Sequence, residues 1–132
     1  SPLSQLRAAH QRVEATAAQV GLTEVLEQCV STLSYGAQRQ LEVGLTLMGK
    51  PQILLLDEPT SGMSPEETAR MLTLIDDLPR TLAVLIIEHD MDLVFAHADR
   101  ITVLNYGSVL MEGNADEVRA SQLVHDTYLG ER

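Results

Sequence analysis

The sequence predicts an α/β fold in which a helical first third is followed by alternating strands and helices. Two unbroken apolar runs, Ile53–Leu56 and Leu82–Ile87, are separated by one amphipathic helical segment. Such runs are typical of strands that are buried on both faces of a parallel sheet. The strand–helix–strand order therefore indicates mostly parallel strands after residue 50.

The first fifty residues predict two long helices joined by a short irregular segment. Apolar residues at helical spacing predict a helix over 5–20 that Gly21 closes, followed by a short helical turn over 23–28. Ser34-Tyr35-Gly36 opens the second helix, which ends at Gly49 before a proline. We expect substantial burial of the apolar residues of this helix, which are Leu41, Val43, Leu45, Leu47 and Met48.

Capping residues and turns predict the remaining elements. Ser64, Pro65 and Glu67 form the capped start of a helix that extends to about residue 78. A short helix over 91–97 then leads to a strand over 101–104, and an Asn-Tyr-Gly turn joins this strand to another over 109–111 as a hairpin. Asn114 and Glu117 cap a helix that reaches about residue 120, and a last helix covers 123–129.

Composition excludes several classes of function. Hydrophobic residues make up 45% of the 132 residues and aromatic residues 3%, which predicts one folded chain with an aliphatic core. The formal net charge of −10 argues against a nucleic-acid partner, because duplex affinity comes largely from lysine and arginine. The single Cys29 fits a reducing compartment. We find no signal peptide and no apolar run that could span a bilayer, so we expect a soluble chain.

Two charged clusters stand where the predicted strands end, and ligands of open α/β sheets bind at such ends. In the first cluster, Asp57 could hold Mg²⁺ directly or through water, and Glu58 could orient or deprotonate an attacking water. In the second, His89 lies between two acids and could donate a hydrogen bond to a γ-phosphate. The alternative is that both clusters are ordinary strand-end charges that reach water. A zinc site is a weaker alternative, because the other histidines do not stand at metal-ligand spacing from His89.

Two further segments are considered as phosphate-binding sites: a helix start, and a motif that only resembles a phosphate loop. Segment 33–38 places a serine hydroxyl and a small glycine at a helix N-terminus, which is an anion site or a plain N-cap. Segment 44–50 fits the G-x-x-x-x-G-K pattern of a phosphate loop, but it closes a helix and leads into a strand. The next residue, Pro51, has neither a hydroxyl nor an N–H. We therefore interpret Gly49 and Lys50 as a helix C-terminus.

Taken together, four segments resemble the ABC transporter ATPases in order and spacing: LSYGAQRQ at 33–40, ILLLDEPT at 53–60, SGMS at 61–64 and EHD at 88–90. The resemblance covers roughly residues 20–132. It implies a partial P-loop NTPase (RecA-like) core over 51–132, preceded over 1–50 by part of the family's α-helical subdomain. Segments 38–42, 62–67, 88–91 and 128–131 look like the branched-chain amino acid importer ATPases, although urea and amide importers are similar.

The resemblance implies a role for each matching residue. Asp57 matches the Walker B aspartate, Glu58 the catalytic glutamate and His89 the switch histidine. The matching nucleotide-contacting residues of the signature loop and the D-loop are Ser34, Tyr35, Gly36, Ala37, Gln38, Ser61, Gly62, Met63 and Ser64. Three of these depart from the common pattern, since Tyr35 replaces a glycine, Ala37 a glutamine and Ser64 an aspartate.

The resemblance also implies cofactors and partners. ATP and Mg²⁺ are the cofactors; a second ATPase subunit and membrane permease subunits are the direct partners, and a solute-binding protein is an indirect one. The implied location is cytoplasmic, peripheral on the inner face of the cell membrane.

The chain has no phosphate loop, Q-loop or adenine-stacking aromatic segment, so we expect a C-terminal fragment that does not hydrolyse ATP alone. In the family fold the phosphate-loop strand lies between the strands at 82–87 and 101–104, so open strand edges are expected. The alternative is a degenerate, ABC-derived dimerisation or regulatory module without catalysis. A DNA-repair ABC ATPase is disfavoured by the acidity and by the lack of a coiled-coil insertion.

Overall fold

A computed structural model describes residues 1–129, and the chain divides into two compact units, Ser1–Ile87 and a second that begins at Glu88. The elements are α1 (Pro2–Gln19), two 3₁₀ turns (Thr23–Val25 and Val30–Thr32), α2 (Tyr35–Met48), β1 (Ile53–Asp57), α3 (Pro65–Asp76), β2 (Ala83–Ile87), α4 (Met91–His97), β3 (Ile101–Asn105), β4 (Ser108–Gly113), α5 (Ala115–Arg119), α6 (Gln122–Val124) and a π-helical turn (His125–Leu129). The expected boundary between a helical subdomain and an ATPase core at 50/51 stays a prediction. Of the family-like ending at 128–131, Gly130 and Glu131 lie outside the described residues.

The helices of the first unit begin and end largely at the predicted residues. Gly21 follows α1 with a left-handed φ of 76°, and Ser34 and Gly49 cap the two ends of α2. Gly44 of α2 lies close to the end of α1: a Cβ added to this glycine would lie 3.2 Å from a methyl carbon of Val20, the C-cap of α1. None of the described helices combines the length and the apolar character that crossing a bilayer requires.

The phosphate-loop pattern at 44–50 is confirmed as a helix C-terminus. Gly44 is buried within α2, Gly49 is the C-cap, and Lys50 takes a left-handed φ of 51° before β1 begins. The expectation of burial along α2 is wrong for Leu45, which is 65% exposed. Val43 is buried against α1, and Leu45, two residues on, points to the opposite side of the helix.

The first unit contains a parallel pair of strands in which Leu55 lies beside Leu85 and Asp57 beside Ile87. One face of this pair packs on the helices: Leu54 is 2% exposed and lies in a core with Met71, Leu74, Ile75 and Leu78. The opposite face is open, with exposures of 59–69% for Ile53, Leu55, Leu85 and Ile87. Burial of both faces is therefore wrong for these strands, because the helices of the first unit pack on one face only.

The second unit is built on an antiparallel hairpin. Tyr106 and Gly107 both take left-handed φ values, 49° and 77°, as a tight turn between β3 and β4 requires. The hairpin and the Asn114–Glu117 capping box are confirmed. The predicted last helix is split into α6 and the π-helical turn. A small apolar core is formed by Ile101, Val103, Val118 and Val124.

Candidate functional site

Two carboxylates leave the sheet where β1 ends. Asp57 is exposed, and the alternation of the strand puts it on the open face with Leu55. Glu58 follows with a left-handed φ of 46°, and its N–H donates a 2.8 Å hydrogen bond to the carbonyl oxygen of Ile87. A non-glycine residue in this region costs about 1–3 kcal/mol. The strand therefore ends in a strained turn that begins at Glu58, directly after the exposed carboxylate of Asp57.

The chain then turns through residues 58–64 into α3. The N–H of Ser61 donates to the carbonyl of Glu58 at 3.1 Å, and Gly62 takes a φ of 77°. At the helix start, Ser64 Oγ accepts from the N–H of Glu67 at 3.2 Å, and the N–H of Ser64 donates to Glu67 Oε1 at 3.2 Å. This is the predicted capping box, and it fixes the end of the loop that matched the D-loop.

The start of α2 is fixed by its own side chains. Ser34 Oγ accepts from the N–H of Ala37 at 3.2 Å, so the serine acts as an N-cap. Gln38 Nε2 donates to the carbonyl of Leu33 at 3.3 Å and fastens the segment before the helix. Ser34 and Tyr35 are exposed, whereas Gly36 is buried.

The structure brings the start of α2 and the 61–64 loop together through one carboxylate. Glu67 Oε2 accepts a hydrogen bond from the N–H of Gly36, while its Oε1 accepts from Ser64. Beside this contact, a Cβ added to Gly62 would lie 3.6 Å from the ring of Tyr35. The backbone hydrogen bonds from Ser64 and Gly36 lower the pKa of Glu67 below its usual 4.5. The capping-box pattern predicted only the Ser64 half of this arrangement.

The second charged cluster lies in the second unit. The side chain of Glu88 is 5% exposed, and its Oε1 accepts from the N–H of His89 at 3.1 Å. The same oxygen lies 3.8 Å from His89 Nδ1, and the imidazole is 80% exposed. Asp90 caps α4 by accepting from the N–H of Leu93 at 3.2 Å. His89 is thus an accessible ring on a short connection between a strand and a helix.

The donor atoms that the chain provides decide whether Asp57 could hold a metal ion. Within residues 1–129, no three His, Cys, Asp or Glu side chains form a group that could hold a metal ion. Mg²⁺ does not need such a group, because it keeps several waters and binds one or two carboxylates together with substrate phosphates. The exposed carboxylate of Asp57 fits that mode of binding.

Comparison with known proteins gives the family. The sequence model of the ABC transporter family matches residues 3–61. The high-affinity branched-chain amino acid transport ATP-binding protein BraF of Pseudomonas aeruginosa is 43% identical over 115 residues, which are 86% of this chain and 45% of BraF. Over most of its length the chain is similar to ABC transporter ATP-binding proteins, as the four sequence segments predicted.

Other ABC proteins also match most of this chain. The high-affinity branched-chain amino acid transport ATP-binding protein LivG of Escherichia coli K12 is 41% identical over 85% of this chain and 45% of its own length. The methionine import ATP-binding protein MetN of Pasteurella multocida is 34% identical over 83% of this chain and 32% of its own. The chain thus spans about half the length, or less, of the curated relatives it matches.

Solved ABC structures share the fold. The ADP conformation of the ATP-binding cassette MJ1267 superposes with a TM-score of 0.79 at 25% identity, over 92% of this chain and 50% of that one. The cbiO1 protein of Clostridium perfringens gives a TM-score of 0.79 at 26% identity, over 96% of this chain and 50% of its own. The predicted partial P-loop NTPase fold of an ABC ATPase is confirmed by these neighbours.

Proposed function

We propose that this chain is the signature-bearing part of an ATP-hydrolysing subunit that powers solute import through an ABC transporter. The observation that carries the proposal is the position of the Asp57–Glu58 step, which runs directly into a loop whose last residue, Ser64, shares the carboxylate of Glu67 with the start of α2. The likeness to BraF and LivG supports branched-chain amino acids as the solutes. As partners we propose a second ATPase subunit, membrane permease subunits and, indirectly, a solute-binding protein, with the subunit peripheral on the inner face of the cell membrane.

Each side chain has a role that its position allows. Bound Mg·ATP would supply the phosphoryl group and the charge that holds it. Asp57 would hold Mg²⁺ from the open end of β1, directly or through water. Glu58 would orient or deprotonate the attacking water, and its backbone leaves the extended conformation of the strand with a φ of 46°.

The remaining roles concern contacts with phosphate. His89 would donate a hydrogen bond to the γ-phosphate, which its exposed ring permits. Ser34, Gly36 and the 61–64 loop face the nucleotide that the second subunit holds.

We further propose that the 132-residue chain does not hydrolyse ATP alone. Its G-x-x-x-x-G-K match lies in α2 and the turn after it, where the backbone N–H groups of residues 44–48 bond within the helix. These N–H groups cannot cradle a phosphate. Rapid ATP turnover by the purified chain, abolished in the Glu58→Gln variant, would overturn this part of the proposal.

The main test uses the complete subunit assembled with its membrane partners. We expect Glu58→Gln to lower kcat for ATP hydrolysis by about 10²–10⁴-fold, which is the contribution of a positioned base. Glu66→Gln, an exposed glutamate in the first turn of α3, is the matched control and should hydrolyse ATP normally. Wild-type rates for both Glu58→Gln and His89→Ala would contradict the site. Absence of hydrolysis in the complete wild-type subunit would favour a regulatory module instead.

The solute is tested separately in vesicles that contain the complete transporter and its binding protein. ATP-dependent uptake of labelled leucine or valine supports the proposal. Uptake of urea or a short amide, with no uptake of leucine, would contradict the solute while leaving the ATPase assignment intact.

A further inference from the structure

One side chain joins the two loops that the proposed function places at the subunit interface. Glu67 sits on the first turn of α3, yet one of its carboxylate oxygens accepts from the start of α2 and the other from the end of the 61–64 loop. The two backbone groups that it joins, Gly36 and Ser64, are 28 residues apart in the sequence. A capping residue needs only the second of these bonds.

The space at Gly36 is shaped for this carboxylate. A Cβ added to Gly36 would lie 2.8 Å from both Cγ and Cδ of Glu67, closer than real Cβ contacts. Because the crowding atoms belong to a flexible side chain, an alanine at this position would displace the Glu67 carboxylate and leave the helix in place. The absence of a side chain at Gly36 thus allows Glu67 to reach its N–H.

We propose that Glu67 is a positioning residue that holds the signature loop at Ser34–Gln38 and the D-loop at Ser61–Ser64 in one fixed arrangement. This inference rests on the proposed function, since it assigns a consequence to loops that face the second subunit. Tyr35, which lies against Gly62, adds a packing contact to the same link. Both loops therefore meet the partner's nucleotide as one body, which reduces the ordering cost of forming the composite site.

The link itself is tested in the 132-residue chain by the amide proton shifts of Gly36 and Ser64. In Glu67→Ala both amides lose their acceptor, so both shifts change; in Glu66→Gln neither does. Gly36→Ala should shift the Ser64 amide in the wild-type background and leave it unchanged in the Glu67→Ala background. A Ser64 amide that responds equally in both backgrounds would overturn the link.

The consequence is tested in the complete subunit by steady-state ATP hydrolysis. We expect Glu67→Ala to lower kcat about 3- to 30-fold, which lies within the range of couplings in one hydrogen-bond network, while KM for ATP stays within about 2-fold. Glu67→Gln keeps one acceptor oxygen, so its kcat should lie between those of the wild type and Glu67→Ala. It replaces the alanine variant if that variant does not fold. A wild-type kcat for Glu67→Ala, with the Gly36 amide shifted, would overturn the positioning role.

The outcomes separate this inference from the proposed function. A wild-type kcat for Glu58→Gln would contradict the proposed ATPase site and, with it, the role of Glu67 at that site. A large loss of kcat in Glu58→Gln, together with no loss in Glu67→Ala, would contradict only the positioning role. Folded content is checked for every variant by circular dichroism, so that a lower kcat is referred to folded protein.

Discussion

A single buried amide fastens the end of α1 to α2, and its removal has a predictable cost. Gln40 is 5% exposed, and its Nε2 donates a 2.8 Å hydrogen bond to the carbonyl of Val20, the C-cap of α1. Val20 is itself 2% exposed, so solvent cannot easily replace the lost donor. Gln40→Leu keeps a similar volume but leaves this carbonyl without its hydrogen bond.

The expected loss follows from the cost of an unsatisfied buried acceptor, which is about 1–3 kcal/mol. The added apolar character of leucine offsets part of this, at about 0.8 kcal/mol per buried CH₂. We therefore expect a net loss of roughly 1–2 kcal/mol in the free energy of unfolding.

The assay is urea unfolding of the 132-residue chain, read by hydrogen exchange of the α2 amides so that only the first unit is followed. The matched control is Gln5→Leu, an exposed glutamine on α1 that should change the free energy by less than about 0.5 kcal/mol. Equal stability of Gln40→Leu and the control would refute the reasoning, because it would mean that the Val20 carbonyl carries no desolvation cost.

Three further predictions concern the charge on Glu67, the open face of the β1–β2 sheet and the β3–β4 hairpin. Because the pKa of folded Glu67 is lowered, its contribution to stability is present above pH 4.5 and is lost as the pH falls through the folded pKa; Glu67→Gln should flatten the acid side of a urea-midpoint profile. Leu55→Glu should reduce self-association in sedimentation more than Leu45→Glu does, although both leucines are more than 60% exposed, because Leu55 belongs to a contiguous apolar face. Gly107→Val should cost about 1–2 kcal/mol, measured by thermal unfolding, because valine disfavours a φ of 77°.

Local chemistry made much of the fold predictable. The Ser64–Glu67 and Asn114–Glu117 boxes join residues three apart, so the interaction that starts each helix is visible in the sequence. The hairpin turn is similarly determined by residues 105–107. The same local reasoning correctly separated the G-x-x-x-x-G-K match from a phosphate loop, since Pro51 and the preceding helical pattern were both on view.

Burial was predicted less well because it depends on what lies beside each face. The apolar runs at 53–56 and 82–87 predicted strands correctly, but a run that is apolar on both faces does not tell which faces this chain covers. In the structure Leu54 is 2% exposed and the adjacent Leu55 is 69% exposed. On α2, Leu45 differs in the same way from Val43.

The site shows how a tertiary contact changes the meaning of a local motif. The sequence pattern offered the start of α2 as an anion site formed by backbone N–H groups and a serine. In the structure the N–H of Ala37 is bonded to Ser34 and that of Gly36 to Glu67, so two of the donors are already taken. Ser34 uses its oxygen as the acceptor, which leaves its O–H to donate to an incoming anion. We therefore expect recognition there to depend on the Ser34 hydroxyl and the helix dipole, with Gly36 acting through the room that it leaves for Glu67.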